Sequence, residues 1–380
     1  MGLTDIHIAG YRSVRSIRFP VRQLSVLVGA NGVGKTNLYR ALELVRAAAT
    51  GDLAEAVARQ GGLASLLWAG ERKVNDQPRL VLEVRLDNVL AGSEGNDTFA
   101  PTYRIETGFP NKISDAAFDS EAQIKLESLT LRQGSRNTDL LERKGAAAWF
   151  RDDAGKRRQL EEPLLASETA LAAVRGSFPE VDAVRHTIAS WRFYHGFRTD
   201  PASPLRRPAL AITAPMLNAD GSNLAAVFAT LRHIRQESID LDAAIEDAFP
   251  GAFLDVPMPD TNASFSMTFP DMPSRAFGAA ELSDGTLQFL ALMGALLSYR
   301  LPPLIALNEP EASLHPDLLP ALARIIAKAA ERSQIWVVTH SRILADALAA
   351  ETGVLPRDVI RKDGATWLDG LNQLGLFTDD

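Results

Sequence analysis

The chain predicts an α/β fold with an N-terminal antiparallel β lobe, a mainly helical insert and a C-terminal lobe built on a parallel sheet. Three observations predict it. Between residues 80 and 151, short segments alternate apolar and polar side chains with period two, the mark of half-buried strands. From 161 to 255 the apolar spacing turns helical. Beyond 276, compact apolar runs alternate with helical stretches, which places strands side by side in parallel. The predicted segments are therefore 1–160, 161–275 and 276–380.

In the first segment, Ile6, Ile8, Ile17 and Phe19 alternate with polar residues and predict two short strands around Tyr11-Arg12-Ser13. The apolar run Leu24 to Val28 feeds directly into Gly29, and Asn37 to Ala58 follows with Leu38, Ala41, Leu42 and Val45 on one helical face. Leu80 to Leu86, Tyr103 to Thr107, Ile124 to Leu131 and Ala147 to Arg151 read as strands, with polar turns at Gly92–Asp97 and Gly134–Thr138. In the second segment, Ser222 to Arg235 carries Leu224, Val227, Phe228 and Leu231 on one stripe, and Phe265, Met267 and Phe269 alternate as a strand. In the third, Thr286 to Tyr299 is almost wholly apolar and predicts a buried helix. Leu304 to Leu307 and Ile335 to Val338 predict buried strands, with helices over Asp317–Arg332 and Ser341–Ala350. The long interval between Thr36 and Leu282 has no sustained heptads, which disfavours a coiled-coil arm.

Composition narrows the function classes. The chain has 380 residues, 46% hydrophobic and 23% charged, with material for a sizeable core. No apolar run approaches the ~20 residues of a membrane helix, so no membrane partner is expected. The start Met1-Gly2-Leu3-Thr4-Asp5-Ile6 lacks the pattern of a secretory signal, and Ile6 stands where myristoylation wants Ser or Thr. With 0 Cys there is no disulfide frame, thiolate metal site or thiol chemistry, and the cytoplasm is the expected compartment. The net charge of -7 excludes a globally basic nucleic-acid binder but leaves room for a local basic groove.

Four motifs carry chemistry. Gly29-Ala30-Asn31-Gly32-Val33-Gly34-Lys35-Thr36 fits GxxxxGK[ST] between an apolar strand and an amphipathic helix. Such glycines let successive N–H groups turn toward phosphates, the lysine supplies a point charge, and the threonine hydroxyl serves Mg²⁺. Asn31, Gly32, Val33, Gly34, Lys35, Thr36 and Asn37 are thus nucleotide-binding positions, with ATP and Mg²⁺ the implied cofactors. Leu282-Ser283-Asp284-Gly285 is a small-residue turn opening a buried helix. It reads as a plain helix cap or as a site for an anion at a helix start. The strand Leu304 to Leu307 delivers Asn308 and Glu309 to the edge where α/β ligands bind. Glu309 is the residue to orient or deprotonate an attacking water, and Glu311 reads as structural. Asn308 offers an oxygen to the metal's shell without a charge. His340, after the strand Ile335 to Val338, can hydrogen-bond a γ-phosphate. His315-Pro316-Asp317 reads either as an interface loop or as an ordinary turn with Asp317 capping the next helix. Between Arg185 and Arg207, Trp191, Phe193, Tyr194 and Phe197 interleave with Arg192, Arg198, Arg206 and Arg207. This is either a nucleic-acid surface or an aromatic core segment with arginines turned outward.

In this order, the motifs resemble the nucleotide site of ABC-type P-loop ATPase heads of the SMC/RecF/OLD group, most of all its RecF-like AAA-family branch. Asn308-Glu309-Pro310-Glu311-Ala312-Ser313-Leu314-His315-Pro316 is similar to that branch's catalytic strand and D-loop. So are Asp220-Gly221-Ser222-Asn223-Leu224 and Trp191 to Arg198, and the resemblance spans nearly the whole chain. It implies a head-to-tail homodimer closed on ATP, in which Ser283, Asp284 and Gly285 of one copy meet the phosphate loop of the other. It also implies that Arg12 and Ser13 lie near the adenosine, that Glu309 and His340 are catalytic, and that Thr36 and Asn308 serve the metal. The group acts on DNA ends, in repair or in anti-phage defence. About forty residues follow His340, too few for a nuclease domain, so any nuclease or toxin activity is expected from an effector protein encoded nearby. The main alternative is a nucleotide-gated regulatory module with negligible turnover. A third reading is a clamp that binds duplex DNA through Arg198, Arg206 and Arg207.

Overall fold

The computed structural model describes residues 2–71, 78–87, 99–110, 121–133, 136–175, 179–235 and 238–378. The turn expected at Gly92–Asp97 lies outside these residues, as do the first two positions of the turn at Gly134–Thr138. The chain forms two compact units that interleave in sequence. One comprises Met1–Arg22, Gly29–Trp191 and Arg357–Asp380; the other comprises Gln23–Val28 and Arg192–Pro356. Compactness thus divides the chain at places other than residues 160 and 275.

The first unit is built on an antiparallel sheet. Its strands are β1 (Leu3–Tyr11), β2 (Val14–Pro20), β4 (Arg79–Leu86), β5 (Phe99–Gly108), β6 (Gln123–Gln133), β7 (Arg136–Lys144), β8 (Ala147–Arg151) and β9 (Arg157–Gln159), in the order β2-β1-β4-β5-β6-β7-β8-β9. The period-two pattern decides which face is inside: Leu80, Leu82, Val84 and Leu86 are buried while Val81, Glu83 and Arg85 are half-buried. On that second face Arg104 bridges Glu83 (2.9 Å) and Glu106 (2.7 Å), and Arg79 reaches Glu106 (2.9 Å), so opposite charges pair across neighbouring strands. The helix expected over 37–58 is two helices, α1 (Lys35–Thr50) and α2 (Leu53–Arg59). Gly51 ends α1 with φ 91°, the left-handed cap that glycine adopts at no steric cost. Short α3 (Gly62–Leu66), α4 (Ala170–Ala173) and α5 (Pro179–Ala189) complete the helices of this unit, and α1 packs on α5, α4 and β1. The fully buried Glu127 accepts from Tyr103 Oη (2.9 Å) and from the N–H groups of Ala170 (2.6 Å) and Leu171 (2.8 Å), satisfying the open donors at the start of α4.

The second unit contains a parallel sheet of β10 (Arg192–Tyr194), β16 (Leu304–Asn308), β17 (Gln334–Thr339) and β3 (Leu24–Val28), in that spatial order. All six residues of β17 are buried, as a strand covered on both faces requires. Around it lie α6 (Leu224–Ala229), continued by a π turn over Thr230–Arg235, and α7 (Ser238–Ala248), α8 (Asp284–Leu297), α9 (Leu319–Ala330) and α10 (Arg342–Thr352). Helix α8 is buried all round from Thr286 to Leu297, matching its unbroken apolar sequence. Burying each large aliphatic side chain here stabilises the fold by about 1.5–3 kcal/mol. The helical reading of 161–275 is only partly met. That stretch also holds β11 (Ala209–Leu210) paired with β13 (Asn262–Ala263), and β12 (Phe253–Asp255) paired with β14 (Ser266–Thr268), which also pairs with β15 (Ala276–Gly278). The strand expected from the alternation of Phe265, Met267 and Phe269 is β14; the others, of two or three residues, are too short to leave a period in the sequence. Among the described residues, no helix is long and apolar enough to cross a membrane.

Candidate functional site

The phosphate loop is held by groups from distant parts of the first unit. Gly34, the N-cap of α1, has φ 101°, and a Cβ there would stand 2.0 Å from Thr366 Oγ1 and 2.5 Å from Ser13 Oγ. Only glycine fits both the backbone and the space. Those hydroxyls form a brace. Thr366 Oγ1 donates to Val33 O (2.8 Å) and lies 2.7 Å from Ser13 Oγ, Asn37 Nδ2 donates to Ser13 Oγ (2.7 Å), and Thr366 N donates to Ser13 O (2.7 Å). Thr366 belongs to a C-terminal hairpin of β18 (Arg357–Lys362) and β19 (Ala365–Leu368). Lys35 is 4% exposed, and its Nζ donates to Gly29 O (2.6 Å) and Ala30 O (2.8 Å), while Asn31 and Gly32 stand exposed. Helix α1 starts with no side-chain cap and no acid in its first turn, so its leading N–H groups and dipole favour an anion. Thr36, half-buried, is the second residue of that turn.

Beside the brace opens a cavity of about 520 Å³, lined by Arg12, Ser13, Asn37, Trp68 and Arg361 among others. Arg12 has a left-handed φ of 47°, and its guanidinium donates to Gln60 Oε1 (3.2 Å). The same oxygen accepts from Tyr11 Oη (3.1 Å), and burial pushes the Tyr11 phenol up to about 12. Arg12, Ser13 and Asn37, expected at a nucleotide, therefore do share one cleft. Sequence reasoning missed Trp68, Arg361 and Thr366. They come from segments without a motif, and only the folded sheet and hairpin bring them there.

In the second unit, the ends of β16 and β17 bring together Asn308, Glu309, Glu311, Thr339 and His340. Glu309 has φ 50°, a conformation that costs a non-glycine residue about 1–3 kcal/mol. Its N–H donates to Val338 O (2.7 Å), which fixes the turn. Glu311 ties the two strand ends together: its Oε1 accepts from Thr339 Oγ1 (2.5 Å), His340 N (2.9 Å) and Ser341 N (3.2 Å), and lies 3.1 Å from His340 Nδ1. The structural reading of Glu311 fits these bonds. His340 Nδ1 is 4.0 Å from Glu309 Oε1, so the two residues expected to be catalytic are neighbours. Two oxygens here, Asn308 Oδ1 and Glu311 Oε2, are buried without a hydrogen-bond partner, and such groups are costly unless something completes them.

The turn at Ser283 opens α8 as a cap, Ser283 Oγ accepting from Thr286 N (3.2 Å). A Cβ on Gly285 would stand 2.9 Å from Ser313 O, so glycine permits the close approach of the two loops. Ser283, Gly285 and the Ser313–Asp317 stretch line one cavity of about 660 Å³. The interface reading of His315-Pro316-Asp317 needs a second copy and is not decided within one chain. The stretch lines this cavity, and it also caps a 3₁₀ turn, but the capping residue is His315, whose Nδ1 accepts from Asp317 N (3.4 Å), and not Asp317. The aromatic segment is core: Tyr194 and Phe197 are buried with ring centroids 5.5 Å apart, and Tyr194 Oη donates to Leu217 O (2.9 Å). Arg198, paired with Asp200 (2.9 Å), and Arg207 are both exposed, while Arg206 is turned inward.

Residues 24–346 match the family model described as "AAA domain, putative AbiEii toxin, Type IV TA system". No curated protein matches. An Smc head solved bound to the C-winged helix domain of ScpA superposes with TM-score 0.57 at 15% identity, covering 98% of this chain and 99% of that one. The Smc head with an extended coiled coil from Pyrococcus furiosus gives TM-score 0.54 at 12% identity, over 97% and 95% of the two chains. That from Pyrococcus yayanosii gives 0.52 at 11%, over 98% of each. The fold is that of these Smc heads, and the chain belongs to the AAA-domain family whose model it matches over residues 24–346.

Proposed function

We propose that the protein binds and hydrolyses ATP with Mg²⁺, and that two copies close head to tail on the nucleotide. The observation that carries the reading is the division of labour between two neighbouring carboxylates. Glu311 is committed to the Thr339–Ser341 turn, while Glu309, held at φ 50° with His340 beside it, presents a carboxylate that is 35% exposed. In this reading Asn31 to Asn37 cradle the phosphates, with Lys35 supplying charge, and Arg12 and Ser13 flank the nucleoside. Glu309 orients the attacking water, His340 meets the γ-phosphate, and Ser283 and Gly285 serve the partner's nucleotide. The residues present suit a hard cation: the donors are oxygens, and Asn308 Oδ1 is a buried acceptor without a partner. Thr36 and Asn308 would hold Mg²⁺, which supplies charge neutralisation on the β- and γ-phosphates. The output is control of DNA or of an effector protein, in repair or in anti-phage defence. The toxin–antitoxin wording of the family description favours the latter.

The test is turnover and mass in solution with MgATP, for wild type and Glu309→Gln. The variant is expected to bind ATP, to lose about 10²–10⁴ in turnover and to accumulate as a dimer. Wild-type turnover in the variant sinks the assignment of Glu309. A second reading rests on Asn308, which brings no charge to the metal: a nucleotide-gated module with negligible turnover. A large gain of turnover in Asn308→Asp favours it, and unchanged turnover speaks against it. Direct DNA binding has less support, because Arg198 and Arg206 are engaged within the protein.

A further inference from the structure

An aspartate is a poor residue for a turn meant to receive a phosphate, yet Asp284 stands in the first turn of α8, 63% exposed. Its carboxylate repels the same anion that the helix start attracts. Arg206 answers that charge. Its side chain is 12% exposed and runs under the turn: Nη2 donates to Asp284 Oδ1 (2.7 Å), Nη1 to Ala280 O and Leu282 O (both 2.9 Å), and Nε to Thr199 O (2.8 Å). One guanidinium thus satisfies two carbonyls that lead into the turn and cancels the charge of its acid. Arg206 itself is held by a short 3₁₀ turn, Pro204–Arg206, whose Ser203 cap accepts from Leu205 N (3.1 Å).

We propose that Arg206 is a positioning residue for the composite site: it makes the Ser283–Gly285 turn receptive to the nucleotide phosphates of a second copy by neutralising Asp284 and fixing the carbonyls before it. This rests on the reading that the turn serves the partner's nucleotide. It assigns to the Arg198–Arg207 segment a role at the dimer seam in place of contact with DNA. Lysine is a weak substitute, because one ammonium cannot reproduce the planar fork that meets Asp284 and two carbonyls together.

The experiment is sedimentation with MgATP on the Glu309→Gln protein, taken as parent, and on Arg206→Ala, Asp284→Asn and the double change made in it. Nucleotide affinity is read separately at high dilution with a fluorescent ATP analogue. Arg206→Ala is expected to weaken ATP-driven association by about tenfold, an unpaired carboxylate facing an anion being worth that much at a half-exposed helix start. Adding Asp284→Asn should recover most of that loss, a rescue that a purely structural arginine would not show. Asp284→Asn alone removes no buried side chain and should associate at least as tightly as the parent. A parent that binds the analogue but stays monomeric overturns the dimer reading and this inference with it. If the parent dimerises, unchanged association in Arg206→Ala, a double variant no better than the single one, or weaker association in Asp284→Asn overturns the inference alone.

Discussion

The phosphate loop and the strand ends at Glu309 solve opposite problems. The loop is finished within its own unit: Ser13, Asn37 and Thr366 close a ring of hydrogen bonds around Val33 and Gly34, and Lys35 already has acceptors at Gly29 and Ala30. The strand ends are unfinished. Asn308 and Glu311 each keep a buried oxygen without a partner, and Glu309 sits in a conformation that costs energy. A preformed cradle gains affinity because little ordering remains to be done when a ligand arrives. Strain and orphaned acceptors are instead offset by whatever completes them, which in the proposed reaction is metal and water. Binding is thus expected to depend on the first region and turnover on the second.

The sharpest way to break that division is Lys35→Ala. Loss of a charged hydrogen bond to phosphate costs about 1.5–3 kcal/mol, so ATP affinity by calorimetry should fall about ten- to a hundredfold. Unchanged affinity would remove the phosphate loop from the account. Glu311→Ala attacks the other region. It strips three donors of a carboxylate that is 5% exposed, and unsatisfied buried groups cost about 1–3 kcal/mol each. Denaturant unfolding should show a loss of about 2–4 kcal/mol, with turnover reduced because His340 is released, and ATP affinity largely kept. If Glu311→Ala is as stable as wild type, the tie between the strand ends is not what holds them.

Thr366→Val tests whether the cradle is preformed by its brace. Valine keeps the shape of threonine but removes the hydroxyl shared by Val33 O and Ser13 Oγ. The expected cost is about 1 kcal/mol in stability and a several-fold weaker ATP affinity, both small beside Lys35→Ala. A large effect on turnover at saturating ATP, with affinity intact, would contradict the separation of the two regions.

What the sequence made legible follows the same line. Gly29 to Thr36, Ser283 to Gly285 and Asn308 to Glu311 are contiguous, each carrying its chemistry in a short string, and His340 is marked by the apolar strand that precedes it. The alternation in Leu80–Leu86 and the apolar runs of β16 and β17 gave the two kinds of sheet, because burial on one face or on both dictates those patterns. Thr366 meets Ser13 across 353 positions of chain, and Arg206 reaches Asp284 across 78. A lone threonine in a hairpin and an arginine beside other arginines have no period and no motif. Their meaning is created by topology. The turn at His315 shows the intermediate case: a cap was expected, but the choice between His315 and Asp317 depends on a backbone angle that spacing does not encode.

The smallest expected effect separates the two regions by pH. His7 lies on β1, in the sheet of the first unit, half-buried, with Nε2 3.2 Å from Ser16 Oγ and Nδ1 buried without a partner. Burial, followed by the charge of Arg18, holds its imidazole below the ordinary 6.5, with Arg104 adding to the effect and Glu83 opposing it. The unfolded chain therefore takes up this proton first as the pH falls. The stability that His7 contributes is present above pH 6.5 and is lost as the pH drops through the lower, folded value. Asp5 on the same strand works in the other sense and lower down. Burial raises its carboxyl above 3.8, so its contribution is present below that pH and fades as the pH rises through the folded value. His7→Gln removes the first slope and leaves the second. Unfolding free energies from urea at pH 7.5 and pH 5.5 should differ less in the variant than in wild type. ATP affinity at pH 7.5 should not move, since His7 is a group of the sheet face and not of the loop. An equal pH dependence in both proteins would show that the imidazole carries no charge change on unfolding, and would assign acid sensitivity to the carboxylates of the ion-pair face instead.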